Sequence, residues 1–268
     1  MSAADFQLLE LSDSNLAEAQ REQVRFASGY RIEERQDLLL LASATRYPAG
    51  PFNSILPLGA GTDDAAALFA RARSWFAPQQ RGFTVYLRNH RDRALSAFCE
   101  REGFTRISES PGMVLTRLPE SKALAAGVRI LPLTPERALD FVEVSAAAYE
   151  SMGLAPDVTR KAFASPERWL APQWHVQVVY ESDRPVAGAM LLFSHGIAGV
   201  YWVGTRPDAR GRGYADAVMR VITRYAFEHG ARLVVLQASP MGEPVYRRLG
   251  FREVTRYPWY LVPKDRVV

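Results

Sequence analysis

Hydrophobic and polar positions along the second half of the chain follow two different periods. Apolar side chains recur every three or four positions over residues 135–149 and 217–226, which predicts two amphipathic helices. A shorter helical piece is predicted at 158–164. Strands are predicted where runs are apolar or alternate with polar residues, at 128–131, 175–180, 186–193, 197–205 and 233–236. The full order from residue 128 onwards is β-α-α-β-β-β-α-β-α-β-β, a mixed α/β arrangement.

The first half has a similar rhythm. Helices are predicted at residues 16–27, 63–76 and 91–102, and strands at 37–44, 52–58, 83–87, 106–108 and 113–118. Thr62 is the predicted N-cap of the second of these helices. The segment 119–127 reads as a linker between two packed units. We therefore expect one domain over residues 1–120 and another over residues 128–268.

A loop rich in glycine and arginine connects the predicted strand 197–205 to the helix that follows it. Gly211 and Gly213 allow the backbone to approach a ligand closely, and Arg210 and Arg212 add positive charge. The first N–H groups of a helix lack intrahelical partners and lie at the positive end of the macrodipole. The sequence therefore predicts an anion site suited to a pyrophosphate group.

The order Arg210-x-x-Gly213-x-Ala215 resembles the pattern with which the GNAT superfamily of N-acetyltransferases holds coenzyme A. A second motif follows at the separation typical of that family: the apolar run 233–236, then Tyr246, then Leu249-Gly250-Phe251. The resemblance covers about residues 128–262. It implies an α/β fold with a mixed sheet, built from two GNAT-like acyl-CoA N-acyltransferase domains in tandem.

The resemblance also implies a set of site residues. The pantetheine arm of coenzyme A would lie between two strands that splay apart, and Tyr246 would protonate or hydrogen-bond the departing thiolate. The residues expected to bind the cofactor are Val203, Gly204, Thr205, Arg210, Gly211, Arg212, Gly213, Tyr214, Ala215, Asp216 and Ser239. Asp216 departs from the family pattern, because an acid there could weaken anion binding. The Ser239 hydroxyl could contact the pantetheine or merely cap the next helix.

A general base is harder to identify. The apolar run 233–236 contains no acid, and the strand segment 200–204 offers only Tyr201. Glu150 and Tyr149 would lie by the acceptor pocket, although a helix-end glutamate is more often a solvated group. A water relay, or an amine that is already partly deprotonated, is an equal alternative.

The first half lacks the elements of a cofactor site. No arginine precedes its helix 63–76, and two acids, Asp63 and Asp64, stand at the helix start, where they would repel a pyrophosphate. The helix 91–102 carries no tyrosine. We expect a degenerate GNAT-like domain without a cofactor loop; an unrelated α/β domain is the alternative.

Composition mainly excludes other classes of protein. The formal charge is +4 and no Lys/Arg-rich tract is present, so no nucleic-acid partner is expected. No apolar run is long enough to span a bilayer, the N-terminus does not resemble a secretory signal, and the single cysteine, Cys99, fits a cytoplasmic protein and core packing. No metal site is expected, because the histidines are scattered along the chain, at His90, His175, His195 and His229.

These observations lead to a functional hypothesis. The second half would transfer an acetyl group from acetyl-CoA to a primary amine of a small molecule, in a monomer with an internal pseudo-dimer or in a homodimer. The alternative is a non-catalytic acyl-CoA-binding or regulatory module. Acceptor specificity is expected from residues 152–156 and 257–260 and from the contact between the halves. Several aromatic residues could line the acceptor pocket or fill the core, namely Trp169, Trp174, Trp202, Tyr257, Trp259 and Tyr260.

Overall fold

A single mixed sheet runs through both halves of the chain in the computed structural model, which describes residues 3–35, 37–45, 47, 52–61 and 64–267. The strands are β1 (Arg31–Arg35), β2 (Leu38–Ala42), β3 (Asn53–Pro57), β4 (Phe83–Tyr86), β5 (Thr105–Leu115), β6 (Val128–Pro132), β7 (Trp174–Glu181), β8 (Arg184–Ser194), β9 (Ile197–Thr205), β10 (Val234–Gln237) and β11 (Arg252–Val262). The helices are α1 (Ala3–Val24), α2 (Ala65–Phe76), α3 (Arg93–Arg101), α4 (Ala138–Glu150), α5 (Pro156–Ala162), α6 (Pro166–Trp169), α7 (Tyr214–Glu228) and α8 (Glu243–Arg248).

The two halves exchange their last strands. Within the described ranges the sheet order is β1-β2-β3-β4-β11-β5-β10-β9-β8-β7-β6. Strand β5 of the first half therefore lies beside β10, with Leu115 opposite Val234, and β11 of the second half lies beside β4, with Trp259 opposite Tyr86. The boundaries 1–120 and 128–268 remain a prediction about the sequence, because in the sheet each half is completed by a strand of the other.

Two pairs of neighbouring strands are parallel, β3 with β4 and β9 with β10, and the other pairings in the described sheet are antiparallel. Parallel neighbours need a crossover connection. Helix α2 supplies it in the first half and α7 supplies it in the second. The mixed sheet predicted from the sequence is confirmed.

Helices cover both faces of the sheet, because side chains along a buried strand point alternately to opposite sides. On β8, Met190 and Leu192 pack with residues of α4, α5 and α6, whereas Ala189 and Leu191 pack with α7. Cys99, on α3, lies in the core of the first half, as predicted, and burial raises the pKa of its thiol to about 12.

Some elements differ from their predicted bounds. Strand β1 was not predicted, because its sequence, Arg-Ile-Glu-Glu-Arg, has the polar pattern of an exposed edge. The two short strands predicted at 106–108 and 113–118 are one strand, β5. The N-cap of α2 is Asp64 and not Thr62, which lies outside the described residues: an Asp64 carboxylate oxygen accepts from Ala67 N at 2.9 Å. The segment 119–127 forms no helix or strand.

Helix α1 belongs to the first half but also packs on the second. Asn15 hydrogen-bonds the Tyr201 hydroxyl at 2.7 Å through Oδ1 and donates to Ser194 Oγ at 2.7 Å through Nδ2. Gly199 makes this approach possible, since a Cβ atom there would lie 1.9 Å from Asn15 Oδ1. None of the helices in the described ranges has both the length and the apolar character of a bilayer-spanning segment.

Candidate functional site

The parallel strands β9 and β10 separate towards their C-terminal ends. They pair at only two positions, Ala198 with Val234 and Gly199 with Val235. Beyond these pairs β9 continues to Thr205 and β10 continues to Gln237. Each strand end therefore presents backbone groups that the other does not pair, and this gap is where an extended ligand arm could lie.

A bulge in β9 shapes one side of the gap. The register with β8 shifts between Gly204, which pairs with Gly188, and Tyr201, which pairs with Met190. Trp202 adopts a positive φ of 52°, which is uncommon for a non-glycine residue, and its indole N–H donates to Gln23 Oε1 of α1 at 2.9 Å. Bulges re-aim side chains and interrupt pairing next to active sites.

Helix α4 closes over the end of β9. A Cβ atom on Gly204 would lie 2.8 Å from the Cβ of Ala148, so only glycine permits this contact. The Tyr149 ring packs on Trp202 with 4.8 Å between ring centroids. Thr205 Oγ1 is buried and has no hydrogen-bond partner among the described residues, and the same holds for Gln237 Nε2 at the end of β10. The sequence did not indicate Gln237 as a site residue, because only the apolar residues of this strand form a recognisable pattern.

The loop after β9 leads into the N-terminus of α7 as the sequence predicts. Gly211 and Gly213 have φ values of 79° and 83°, in the left-handed region that favours glycine. Gly213 is the N-cap and makes no side-chain cap, and the first intrahelical bond runs from Ala217 N to Gly213 O at 3.0 Å. The N–H groups of Tyr214, Ala215 and Asp216 precede that bond, at the positive end of the helix.

The two loop arginines contact protein groups. Arg210 donates to Thr205 O at 3.3 Å, to Ala148 O at 3.1 Å and to Ser151 Oγ at 2.7 Å, which places its charge at the C-terminus of α4. Arg212 donates to both carboxylate oxygens of Glu181, at 3.0 and 2.9 Å. Both arginines therefore brace the loop, which leaves the backbone N–H groups at the start of α7 as the groups most suited to an anion.

Two acids lie beside the α7 end of this loop: Glu181, which contacts Arg212, and Asp216, in the first turn of α7. The Tyr214 hydroxyl donates to Glu181 at 2.6 Å, and this bond, followed by the charge of Arg212, lowers the pKa of Glu181. Asp216 pairs with Arg220 at 2.8 Å, one turn further along α7. The negative charge of Asp216 is thus paired with Arg220 on the helix surface. This pairing reduces the weakening of anion binding that the sequence predicts for an acid at this position.

Ser239 caps the chain before α8. Its hydroxyl accepts from Gly242 N at 3.1 Å, which is the capping alternative left open by the sequence. We expect Ser239→Ala to lower the free energy of unfolding by about 0.5–1.5 kcal/mol, the usual net contribution of such a bond, while the affinity for acetyl-CoA stays unchanged. Chemical denaturation and calorimetric titration measure the two quantities; an affinity loss that exceeds the stability loss would instead assign Ser239 to ligand binding.

Tyr246 and Tyr149 lie close together at the open end of the gap. Tyr246, on α8, is 7% exposed, and its ring packs over Gly242, where a Cβ atom would lie 2.8 Å from Cε2. Burial raises the pKa of Tyr246. Burial, and secondly the neighbouring Tyr246, raises the pKa of Tyr149. Both phenols are therefore neutral, and able to donate a proton, across the physiological range.

No dedicated base stands out in the described residues around the gap. Glu150 is exposed at the end of α4, as a solvated helix-end acid would be. Strand β10 reads Val-Val-Leu-Gln and supplies no carboxylate. No group of histidine, cysteine or acidic side chains in the described ranges has the geometry of a metal site.

The aromatic residues weighed as acceptor-pocket candidates are buried or half-buried. Trp169, Trp174, Trp202, Tyr257 and Tyr260 are all 9% exposed or less, and Trp259 packs at the edge of a core cluster. The sequence did not predict that Asn15 and Gln23 of α1 hydrogen-bond Tyr201 and Trp202 of β9. No local pattern links these residues to a strand so distant in sequence.

Comparison with known proteins agrees with this geometry. Residues 138–251 match the family model described as "Acetyltransferase (GNAT) family". The fold is similar to a GCN5-related N-acetyltransferase from Kribbella flavida, with a TM-score of 0.71, 21% identity, and coverage of 92% of this chain and 94% of that one. A search of curated proteins found no match.

Two further solved structures share the fold. One is a GCN5-related N-acetyltransferase from Sphaerobacter thermophilus, with a TM-score of 0.62 and 20% identity over 87% of this chain and 82% of that one. The other is a tandem GNAT protein from the clavulanic acid biosynthesis pathway, with a TM-score of 0.59 and 15% identity over 89% and 84%. The tandem arrangement predicted from the sequence is confirmed at the level of the fold.

Proposed function

We propose that this chain, which belongs to the GNAT acetyltransferase family through the domain at residues 138–251, transfers an acetyl group from acetyl-CoA to a primary amine. Family and fold support acyl transfer in general. The observation that carries the finer proposal is the meeting of three features at one place: the gap between β9 and β10, the open N-terminus of α7, and the buried phenol of Tyr246.

The residues present fit coenzyme A. Its pyrophosphate suits the N–H groups of Tyr214, Ala215 and Asp216, because a helix N-terminus favours an anion. Its pantetheine amides suit the unpaired backbone of the strand ends, together with the unpartnered polar atoms of Thr205 and Gln237. The bound acetyl-CoA would present a thioester near Tyr246.

The reaction needs one bond formed, one bond broken and one proton moved. The amine nitrogen attacks the thioester carbonyl, the C–S bond breaks, the nitrogen loses a proton and the departing sulfur gains one. Tyr246 is suited to donate that proton, since its raised pKa keeps it protonated. The described residues offer no carboxylate positioned to take the proton from the amine, so we propose that water takes it and that a proton returned through water restores the Tyr246 phenol.

The absence of a positioned base within the described part of the site favours one alternative, a module that binds acyl-CoA without turning it over. Retention of a buried tyrosine at the gap argues against it. The acceptor we propose is a small-molecule amine, bound on the face of the sheet where α1 and α4 pack.

Binding of acetyl-CoA at the α7 N-terminus is tested by Gly213→Asp. A ligand present at about 100 times its Kd stabilises a fold by about 2.7 kcal/mol, so acetyl-CoA should raise the melting temperature of the wild-type protein clearly. The new carboxylate would stand at the N–H groups meant for the pyrophosphate, and the shift should vanish.

Gly230→Asp is the matched control. Gly230 follows the other end of α7, has a φ of 86° and is equally open, with no atom within 4 Å of the position that a Cβ atom would take. This variant carries the same backbone strain and the same added charge, and it should keep the full shift. A wild-type protein without any shift, or equal losses in both variants, would contradict the proposed cofactor site.

A further inference from the structure

The first half contains a cleft of about 470 Å³ that the proposed reaction does not use. It lies between α1 and the ends of β3 and β4. Its wall residues include Glu10, Asp13, Ala17, Arg88, Arg91 and Tyr257. A concave site of this size with convergent polar groups is the usual place for a small ligand.

The position of the cleft mirrors that of the gap in the second half. Strands β3 and β4 are parallel and pair at only two positions, Ser54 with Thr84 and Ile55 with Val85. The anion site is missing, however, because the Asp64 carboxylate accepts from an N–H group in the first turn of α2. A pyrophosphate would meet this negative charge, so the ligand of the cleft belongs to a different chemical class.

The charges of the cleft are divided between two walls. Helix α1 contributes the carboxylates of Glu10 and Asp13, and the loop after β4 contributes the guanidinium groups of Arg88 and Arg91. Arg21 of α1 and Glu34 of β1 also line the cleft, but they pair with each other at 2.7 Å and so offset one another. Pairs cross the cleft: Arg91 Nη2 lies 3.0 Å from Glu10 Oε1, and Arg88 Nη1 lies 3.7 Å from Asp13 Oδ2. A ligand of a single sign would place its charge against one wall of like sign.

The two arginines have different hydrogen-bonding capacity. Arg88 donates to both carboxylate oxygens of the fully buried Asp92 and to Gly59 O, so its guanidinium group is already hydrogen-bonded to the protein. Arg91 donates to Gly59 O at 3.1 Å and to Glu10, while its buried Nε lies 3.9 Å from Asp13 Oδ2 and makes no hydrogen bond among the described residues. Arg91 is thus the donor with capacity for a ligand carboxylate.

Asp13 is the most enclosed acid of the α1 wall. Its side chain is 11% exposed, its Oδ1 accepts from the Tyr257 hydroxyl at 2.9 Å, and its Oδ2 lies 3.0 Å from His90 Nε2. Charged groups are costly to keep in such a place, and apolar residues of similar volume often stabilise a fold as well or better. A paired, enclosed charge cluster that lines an open cleft therefore indicates a binding role.

We propose that this cleft binds a small zwitterion, with its ammonium group towards Glu10 and Asp13 and its carboxylate towards Arg91. Such a ligand replaces the cross-cleft pairs one for one, so that no wall charge loses its partner. The inference does not depend on acetyl transfer in the second half, since it uses residues of α1 and of the loop after β4.

The test is a titration of the whole protein followed by amide chemical shifts in NMR. The probes are glycylglycine and δ-aminovalerate, with putrescine and adipate as a dication and a dianion that share the tetramethylene spacer of δ-aminovalerate. At least one zwitterion should saturate shifts in α1 and residues 57–59 and 86–91 with a Kd of about 1 mM or lower. Failure of both zwitterions to saturate, or equal binding of putrescine or adipate, would overturn the proposal.

Three variants locate the site and one serves as a control. Glu10→Gln and Arg91→Gln each remove one charge and should raise the Kd by about tenfold or more; Ala17→Met should fill the cleft and abolish binding. Arg129→Gln removes an exposed arginine from its pair with Asp183, at the edge of the sheet formed by β6, and should leave the Kd unchanged. If one cleft variant unfolds at the temperature of the titration, the Kd values of the other two test the site. An unchanged Kd in folded Glu10→Gln or Arg91→Gln protein would show that the zwitterion does not bind in this cleft.

Discussion

Replacing Gly199 by alanine is expected to destabilise the protein by about 2–4 kcal/mol, because the new methyl group overpacks a buried contact. Its carbon would lie 1.9 Å from Asn15 Oδ1 and 2.7 Å from the Tyr201 ring. Neither group is a flexible chain end: Asn15 is fully buried and hydrogen-bonded to Tyr201 and Ser194. Helix α1 must therefore move away from β9, and chemical denaturation measures the loss.

Gly103→Ala provides the control for glycine itself. Gly103 has a φ of 69° with open space around it, so alanine there carries only left-handed strain of about 1–2 kcal/mol. Asn15→Ala tests the contact from the other side. The loss in the double variant Asn15→Ala/Gly199→Ala should be smaller than the sum of the single losses. Without the Asn15 amide, the new methyl group at position 199 no longer clashes with it. Strict additivity would show that the two residues do not meet.

The second half of the fold could be predicted from sequence because its signals are local. Strand β9, the Gly211–Gly213 turn and helix α7 each follow from their own hydrophobic pattern and turn chemistry. The family motif then connects them to Tyr246, which the structure places beside Tyr149 at the gap. Every step spans only tens of residues, and so the pattern was sufficient.

Long-range relations could not be predicted in this way. The exchange of β5 and β11 depends on which strand edges meet. The residues of neither strand indicate which strand will pair with it. The sequence predicts Arg210 and Arg212 as cofactor-binding residues, and it does not indicate the protein partners that the structure gives them, Ala148, Ser151 and Glu181. A charged loop residue has many possible partners, and only the packed fold selects among them.

The charged cleft illustrates the same limit in the first half. The sequence showed what this half lacks, namely an arginine before α2 and a tyrosine on α3. It gave no indication that Asp13, His90 and Tyr257, which are distant in the chain, would meet in one cluster. A missing motif is enough to predict the loss of the cofactor site. A polar cleft built from three separate segments of the chain can be found only in the structure.

Tyr246→Phe is expected to lower kcat for acetyl transfer by about 10²- to 10⁴-fold, the usual contribution of a positioned general acid. The affinity for coenzyme A should remain nearly unchanged, because phenylalanine fills the same space against Gly242 and Phe251. Single-turnover kinetics and calorimetric titration separate these quantities. Tyr149→Phe is the matched control: its hydroxyl makes only a long contact of 3.5 Å with Val203 O, so a small effect is expected.

The pH dependence gives an independent measure of the same role. Burial penalises the phenolate, so the pKa of Tyr246 lies above the ordinary value of about 10. The proton needed by the leaving thiolate is therefore present below that pH and is lost only at a higher one. Activity should not decline through tyrosine ionisation between about pH 8 and 10. Absence of measurable turnover in both Tyr246→Phe and wild-type protein, with coenzyme A bound by both, would instead support a module that binds acyl-CoA without turnover. Equal, measurable kcat values would show that Tyr246 is not the general acid.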